Sequence, residues 1–246
     1  MARARSRGGG RKRGGPPTAS RSLAVRLRTA RQRSASSTQW LERQLNDPYV
    51  AEARRRGFRS RAAFKLQQLD DRFQFLRPGA RVIDLGAAPG GWTQIAVARI
   101  GAEQGKGIVV GIDLLPMDPI PGATLIELDF LAPEAPGAIT AALGGPADAV
   151  LSDMAAPTTG HAATDHLRIM ALAEAAYDFA REVLAPGGTF IAKVFQGGTE
   201  RELLEALKRD FESVRHAKPP ASRAESAEVY VVAQGFRDRA APAGAT

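Results

Sequence analysis

The chain has no cysteine among its 246 residues, which excludes disulfides, a thiol nucleophile and a zinc ribbon. Histidine is scarce: only His161, His166 and His216 occur, none at a metal-ligand spacing from carboxylates, so no metal is expected. No apolar run approaches the roughly 20 residues that span a bilayer. The N-terminus lacks the apolar segment of a secretory signal. A cytoplasmic protein with no membrane partner is expected. No G-x-x-x-x-G-K-[ST] occurs, which excludes a phosphate-cradling P-loop. Acidic residues are missing from the first 41 positions. Of 34 Lys and Arg, 11 fall within residues 1–35. The remaining 23 stand against 26 Asp and Glu over residues 36–246, a net of −3. The overall charge of +8 therefore belongs to the N-terminal segment and says little about the rest.

Residues 1–38, rich in Arg, Gly and Ser, have the composition of a disordered basic tail. Such a segment could attract RNA through its arginines, solubilise the chain, or serve as a transit peptide. Globular composition begins near Trp40 and defines one domain over 39–237, followed by an Ala/Gly/Pro tail at 238–246. With 44% hydrophobic residues, the domain is large enough to bury one α/β core.

The domain is organised around Val82 to Thr93. Val82-Ile83-Asp84-Leu85 reads as a short buried strand, Gly86 to Gly91 as a small-residue turn, and Trp92 onward as a helix. This is the first half of a nucleotide-binding βαβ unit. In a dinucleotide site the second glycine of G-x-G-x-x-G lies against the pyrophosphate. Counting from Gly86, that position is Ala88, and Pro89 behind it has no N–H to offer an anion. A nucleoside ligand without phosphates is indicated, of which S-adenosylmethionine is the common one. Further strands follow at Ile108–Ile112, Thr124–Leu128 and Ala147–Ser152, each running into an acid: Asp113, Asp129 and Asp153. In open α/β sheets the carboxyl edge of the strands is where ligands bind. Asp113 is placed for ribose hydroxyls, and Asp129-Phe130 for the edge and face of adenine.

A helix is expected from about Asp165 to Leu184, then a strand Thr189–Phe195 that carries Lys193 inside an apolar run. Lysine is rarely buried unless paired, and burial disfavours its charged form, which is how a lysine comes to act as a base. A helix Glu200–Asp210 and strands Ser213–Arg215 and Glu228–Ala233 complete the domain. Before the first strand, Asp47 to Arg61 carries five arginines around two aromatics. Ser60 is a plausible N-cap for the helix that follows, on which Leu66, Leu69, Phe73 and Leu76 form an apolar stripe. Arg54, Arg55, Arg56, Arg59, Arg61 and Lys65 are read as one basic cluster facing an anionic partner.

Taken in order, five blocks resemble the FtsJ/RrmJ family of ribose 2′-O-methyltransferases, from about Trp40 to Gln234. They are Asp47 to Leu66, Asp84 to Trp92, Leu151-Ser152-Asp153-Met154, Lys193 to Gly197, and Lys218-Pro219 through Glu228-Val229-Tyr230. The resemblance implies a Rossmann-like S-adenosylmethionine-dependent methyltransferase fold: α/β, a mostly parallel seven-stranded sheet with one antiparallel strand, and helices on both faces. It places a catalytic set on Lys65, Asp153, Lys193 and Glu228. It places cofactor contacts on Gly90, Trp92, Asp113, Asp129 and Asp153. The implied reaction is 2′-O-methylation of a uridine ribose in the A-loop of 23S ribosomal RNA, in the large ribosomal subunit, by a monomer. Lys193 would be the base, Lys65 a second cation disfavouring its charged form, and Asp153 its orienting group. Glu228 would position the ribose hydroxyl or pair with a lysine. The chain departs from the family in its long basic N-terminus, at Ala227 and in the loop Pro157 to Asp165. Methylation of transfer RNA, a non-catalytic RNA-binding role and a small-molecule substrate are the alternatives.

Overall fold

The computed structural model describes residues 45–195 and 201–237. The expected tails, 1–38 and 238–246, lie outside them, as do Gln196 and Gly197 of the fourth block. Contacts divide the chain into two units, residues 1–50 and 51–246. In the first unit Asp47 caps the start of helix α1 (Pro48–Arg56). Its Oδ1 accepts the Tyr49 N–H at 3.0 Å and its carbonyl accepts the Val50 N–H at 3.0 Å. Pro48 takes the first helical position, where a missing N–H costs nothing. Such a cap contributes about 1 kcal/mol.

The second unit holds seven strands: β1 (Arg81–Leu85), β2 (Ile108–Asp113), β3 (Ala123–Glu127), β4 (Ala147–Ser152), β5 (Leu184–Phe195), β6 (Phe211–Ala217) and β7 (Glu228–Phe236). They lie in the order β3-β2-β1-β4-β5-β7-β6. Pairs β1–β2, β1–β4, β2–β3 and β4–β5 are parallel, and β7 runs antiparallel to both β5 and β6. The expected sheet, with its single reversed strand, is the one observed. Helices α2 (Ala62–Phe73) and α3 (Gly91–Ile100) cover one face. Helices α4 (Ala135–Leu143), α5 (Ala162–Val183) and α6 (Arg201–Asp210) cover the other. Because successive strand residues point to opposite faces, Val82, Leu151 and Ile191 pack under α2 and α3. Ile83, Val150 and Phe190 pack under α4, α5 and α6. Both faces being covered explains why the central strands are apolar throughout rather than alternating.

Several element boundaries differ from the sequence reading. Ser60 does not cap α2. The cap position is Arg61, in αR conformation and without a side-chain bond. The Ser60 hydroxyl is instead packed at the glycine turn: a Cβ on Gly91 would lie 2.3 Å from it. Helix α2 stops at Phe73, where Gln74 adopts φ 53° and its N–H bonds the Asp70 carbonyl. Leu76 of the stripe lies beyond the helix but is still buried, its N–H held by Asp70 Oδ1 at 2.8 Å. Helix α4 has no counterpart among the expected elements; Pro136 lies in its first turn, where proline is compatible with a helix. Strand β5 begins at Leu184, directly after α5, rather than at Thr189.

The register fixes what meets at the carboxyl edge. Leu85 pairs with Ser152, and Phe195 with Glu228. The start of the reversed strand β7 thus stands beside the ends of β4 and β5. Lys193 is directly opposite Tyr230.

Candidate active site

The turn after β1 is closed on itself. The N–H groups of Gly86 and Ala87 bond the Ile112 carbonyl at 2.9 and 3.1 Å, and Gly90 N–H bonds the Ala87 carbonyl at 2.7 Å. Ala88 N–H bonds Asp113 Oδ2 at 2.9 Å. None of these amides is left to hold a phosphate, which supports the phosphate-free nucleoside read from Ala88 and Pro89. Gly86 must be glycine: it adopts φ 75°, and a Cβ would meet Met154 Cα at 2.9 Å.

A cleft of about 860 Å³ opens beside this turn, within the usual size of a small-molecule site. Three carboxylates line it, Asp113, Asp129 and Asp153, with Leu115, Phe130, Leu131 and Met154 as apolar wall. Asp113 Oδ1 accepts the Leu115 N–H, and Asp129 Oδ1 the Leu131 N–H, each at 2.9 Å. The Phe130 ring packs edge-on against Phe179, with centroids 5.6 Å apart. This donor set fits S-adenosylmethionine, since acceptors are available for ribose hydroxyls and an ammonium, and apolar groups for a base. Gly90 and Trp92 are not walls of the cleft. Gly90 backs onto Ile120 and Arg59. The Trp92 indole is buried, donates to the Ala62 carbonyl at 2.9 Å and lies 5.5 Å from the Tyr230 ring.

The residues read as one basic cluster are divided by the structure: Arg54, Arg55 and Arg56 on α1, Arg59 and Arg61 in the connector, and Lys65 on α2. Arg55 and Arg56 both bind the Glu52 carboxylate, at 2.6 to 2.7 Å. Arg59 donates to the carbonyls of Asp118 (2.7 Å), Pro119 (2.9 Å) and Pro89 (3.3 Å). Its own N–H is held by Gln94 Oε1 at 2.9 Å. It straps the connector to the glycine turn. Arg61 donates to the Ala221 carbonyl.

Lys65, Asp153, Lys193 and Glu228 do converge, and a fifth residue joins them. Lys65 Nζ donates to Glu228 Oε1 at 2.6 Å and to the Tyr230 hydroxyl at 3.0 Å. That hydroxyl lies 2.7 Å from Asp153 Oδ1 and 3.1 Å from Glu228 Oε1. Lys193 Nζ donates to the Asp153 carbonyl at 2.7 Å and to Asp153 Oδ1 at 3.2 Å. Lys193 is only 8% exposed, so this lysine is buried and paired. Tyr230 belongs to the fifth block of the resemblance, but the sequence reading assigns it no role. Its signal is its place two residues after Glu228 in an apolar strand, on the same face.

Burial by itself raises the Asp153 carboxyl, but the charges of Lys193 and Lys65 and the Tyr230 bond outweigh it and hold the group below the carboxylate range. The Tyr230 phenol is pushed well above its ordinary value, first by burial and then by Asp153 and Glu228. It stays protonated and serves as a donor. Beneath the turn, Asp84 is wholly buried and takes the Thr93 hydroxyl at 2.7 Å. Burial, then the charges of Asp153 and Asp113, push it up to about 7.

Among the described residues no group of three or more His, Cys, Asp or Glu could hold a metal ion. No described helix is long and apolar enough to cross a membrane.

The sequence pattern of the family described as FtsJ-like methyltransferase matches residues 58–236. A protein of Paramagnetospirillum magneticum named ribosomal RNA large subunit methyltransferase E is 66% identical over 225 residues, 91% of this chain and 92% of that one. One of the same name from Parvibaculum lavamentivorans is 61% identical over 238 residues, 94% of each. Among solved structures, a ribosomal RNA methyltransferase of Plasmodium falciparum is 31% identical, with a TM-score of 0.65 over 73% of this chain and 98% of that one. The matched span runs from Phe58, ahead of Lys65, to the end of β7, and so takes in the cleft and the whole chain of charges. The protein belongs to the FtsJ-like methyltransferase family and is an S-adenosylmethionine-dependent methyltransferase.

Proposed function

We propose that the protein methylates the 2′-hydroxyl of a uridine ribose in the A-loop of 23S ribosomal RNA, in the large ribosomal subunit. The relatives named for the large-subunit RNA support the substrate class. The observation that carries the chemistry is the partly buried sequence of contacts Lys65–Glu228–Tyr230–Asp153–Lys193 at the cleft edge. A ribose hydroxyl is a weak nucleophile and must lose its proton as it attacks.

S-adenosylmethionine, when bound, supplies a methyl group on a cationic sulfur, already a strong electrophile. The protein's task is therefore to hold the oxygen in line and remove its proton. Lys193 Nζ is the base in this reading. Two bonds to Asp153 fix its position, and with the proton removed its lone pair is the acceptor. Asp153, kept anionic, steadies the ammonium that forms. Tyr230 holds Asp153 in place, and Glu228 with Lys65 marks where the hydroxyl docks. In the cleft, Asp113 takes ribose hydroxyls of the donor, Asp129 and Phe130 its base, and Asp153 closes the end nearest Lys193. Gly90 and Trp92 act through the turn and helix start that they build.

The test is incubation with labelled S-adenosylmethionine and either large subunits or transfer RNA, followed by mapping of the modified nucleotide. A 2′-O-methyluridine in the A-loop is expected. Label confined to transfer RNA, or on a base, would overturn the assignment.

A further inference from the structure

The Tyr230 hydroxyl has one proton and two carboxylates within reach, Asp153 Oδ1 at 2.7 Å and Glu228 Oε1 at 3.1 Å. The shorter contact takes the proton. Glu228 Oε1 then faces the phenol oxygen with no donor from that side, and two other donors remain to it. One is Lys65 Nζ. The other is the hydroxyl of Ser222, at 3.2 Å. Ser222 is buried, 8% exposed, and it lies in the loop before β7, apart from the residues assigned to the reaction.

That loop is anchored from several directions. Ser222 N–H bonds the Pro219 carbonyl at 2.8 Å. The neighbouring Ala221 N–H is held by Gln68 Oε1 of α2 at 2.7 Å, and its carbonyl by Arg61. Lys218 Nζ closes the far side on the carbonyls of Ala224 (3.0 Å) and Ser226 (2.6 Å). So many bonds fix a short polar loop at one position relative to α2, the helix that carries Lys65. A hydroxyl delivered this way has little freedom left to lose when it bonds a carboxylate.

We infer that Ser222 is a positioning residue for methyl transfer: by donating to Glu228 Oε1, it keeps the single Tyr230 proton on Asp153. Without that donor, Glu228 competes for the phenol proton. Asp153 then loses the bond that holds it against Lys193. The same donor directs Glu228 so that Oε1 faces the protein and Oε2, which has no hydrogen-bond partner among the described residues, is left for substrate. The inference rests on the proposed reaction.

The experiment is single-turnover methylation at saturating large subunits and cofactor, with the wild-type protein as control, for Ser222→Ala and Ser222→Thr. Loss of one hydrogen bond of ordinary net strength predicts a rate about fivefold to tenfold lower for Ser222→Ala. KM for the subunit and affinity for S-adenosylmethionine should be unchanged, and threonine should restore the rate to within about twofold. A rate for Ser222→Ala within twofold of wild type would overturn the inference. So would a change confined to KM, or a threonine variant that melts normally yet is as slow as alanine. If the alanine variant melts early, Ser222→Cys keeps the volume with a poor donor. A slow cysteine variant supports the role, and a normal one removes it. Absence of methylation by the wild type would instead count against the proposed reaction itself.

Discussion

The two halves of the sheet's carboxyl edge are built by different means. Around β1, β2 and β3 the carboxylates bind backbone nearby: Asp113 and Asp129 each take the N–H two residues on. Around β4, β5 and β7 the bonds run between side chains far apart in sequence. Lys193 and Asp153 are separated by 40 positions, Tyr230 and Asp153 by 77, Lys65 and Glu228 by 163. The first half is an open cleft whose shape the local backbone holds. The second is more enclosed, centred on the buried Lys193 and Tyr230, and consists of charges that depend on one another. Removing a group from the first half subtracts contacts to a ligand. Removing one from the second leaves a desolvated partner uncompensated. The binding half should therefore fail in affinity and the catalytic half in rate.

The largest effect expected is that of Lys193→Ala. Loss of a positioned base costs about 10²- to 10⁴-fold in rate, while calorimetry should show cofactor affinity unchanged. Lys193→Arg should fail as well, because a guanidinium cannot accept the proton. Near-normal turnover by either variant would take the base role away from Lys193. Next comes Asp113→Ala, which should weaken binding of S-adenosylmethionine by about 1.5–3 kcal/mol, the range for hydrogen bonds to a charged group, with turnover at saturating cofactor largely kept. Unchanged affinity, or a preference for NAD, would break the comparison at its binding end.

Asp84 lies between the halves and tests them through pH. Its folded value, about 7, is raised above the roughly 3.9 of an unfolded chain, so the folded state holds a proton that the unfolded state has released. This contribution to stability is full below about pH 4 and is lost as pH rises toward 7. Asp70, raised chiefly by burial, acts in the same direction. Asp153, held low, contributes stability that is lost only in stronger acid. Asp84→Asn should flatten the fall in melting temperature between pH 4 and 7. A slope equal to that of the wild type would mean that Asp84 is not the group titrating there.

The binding half was largely legible in the sequence because it is local. A β-branched run, a turn with proline where an amide is needed and three strand-end acids each carry their meaning within a few residues. The catalytic half was reached by resemblance, since nothing near Lys65 in the sequence says that it will meet Glu228. Two of its members announced themselves, Lys193 as a lysine inside an apolar strand and Asp153 as an acid at a strand end. Tyr230 was passed over because tyrosine in a buried strand reads as core. Ser222 was passed over because serine in a polar loop reads as solvent-facing. Helix α4 was hidden by Pro136 and Gly137, although Ala135, Ile139 and Leu143 recur at four-residue spacing and are fully buried. The arginines were legible as charge but not as structure. Whether a guanidinium meets a phosphate or a carbonyl is decided by what the fold brings beside it.

Arg59 sharpens that last point, and it carries the smallest effect. Read from sequence, it belongs with Arg54 and Arg55 in one basic cluster facing an anionic partner, apart from the N-terminal arginines. In the fold it spends its donors on Pro89, Asp118 and Pro119, so it braces the turn beside the cleft. Arg54 is exposed, and its side chain makes no hydrogen bond or ion pair among the described residues. Contacts to phosphate release counterions and make affinity fall with salt, whereas a strap inside the protein does not. Arg59→Ala should therefore weaken binding of S-adenosylmethionine about fivefold, the worth of one ordinary net hydrogen bond passed on through the turn, and leave the salt dependence of RNA affinity unchanged. Arg54→Ala and deletion of residues 1–35 should do the reverse, flattening the salt dependence while leaving cofactor affinity and saturated turnover intact. Single-turnover methylation across a salt series, with cofactor titrations beside it, separates the two patterns. If Arg59→Ala lowers the salt slope and spares the cofactor, its guanidinium leaves those carbonyls for RNA, and the binding half of the edge extends into the arginine connector.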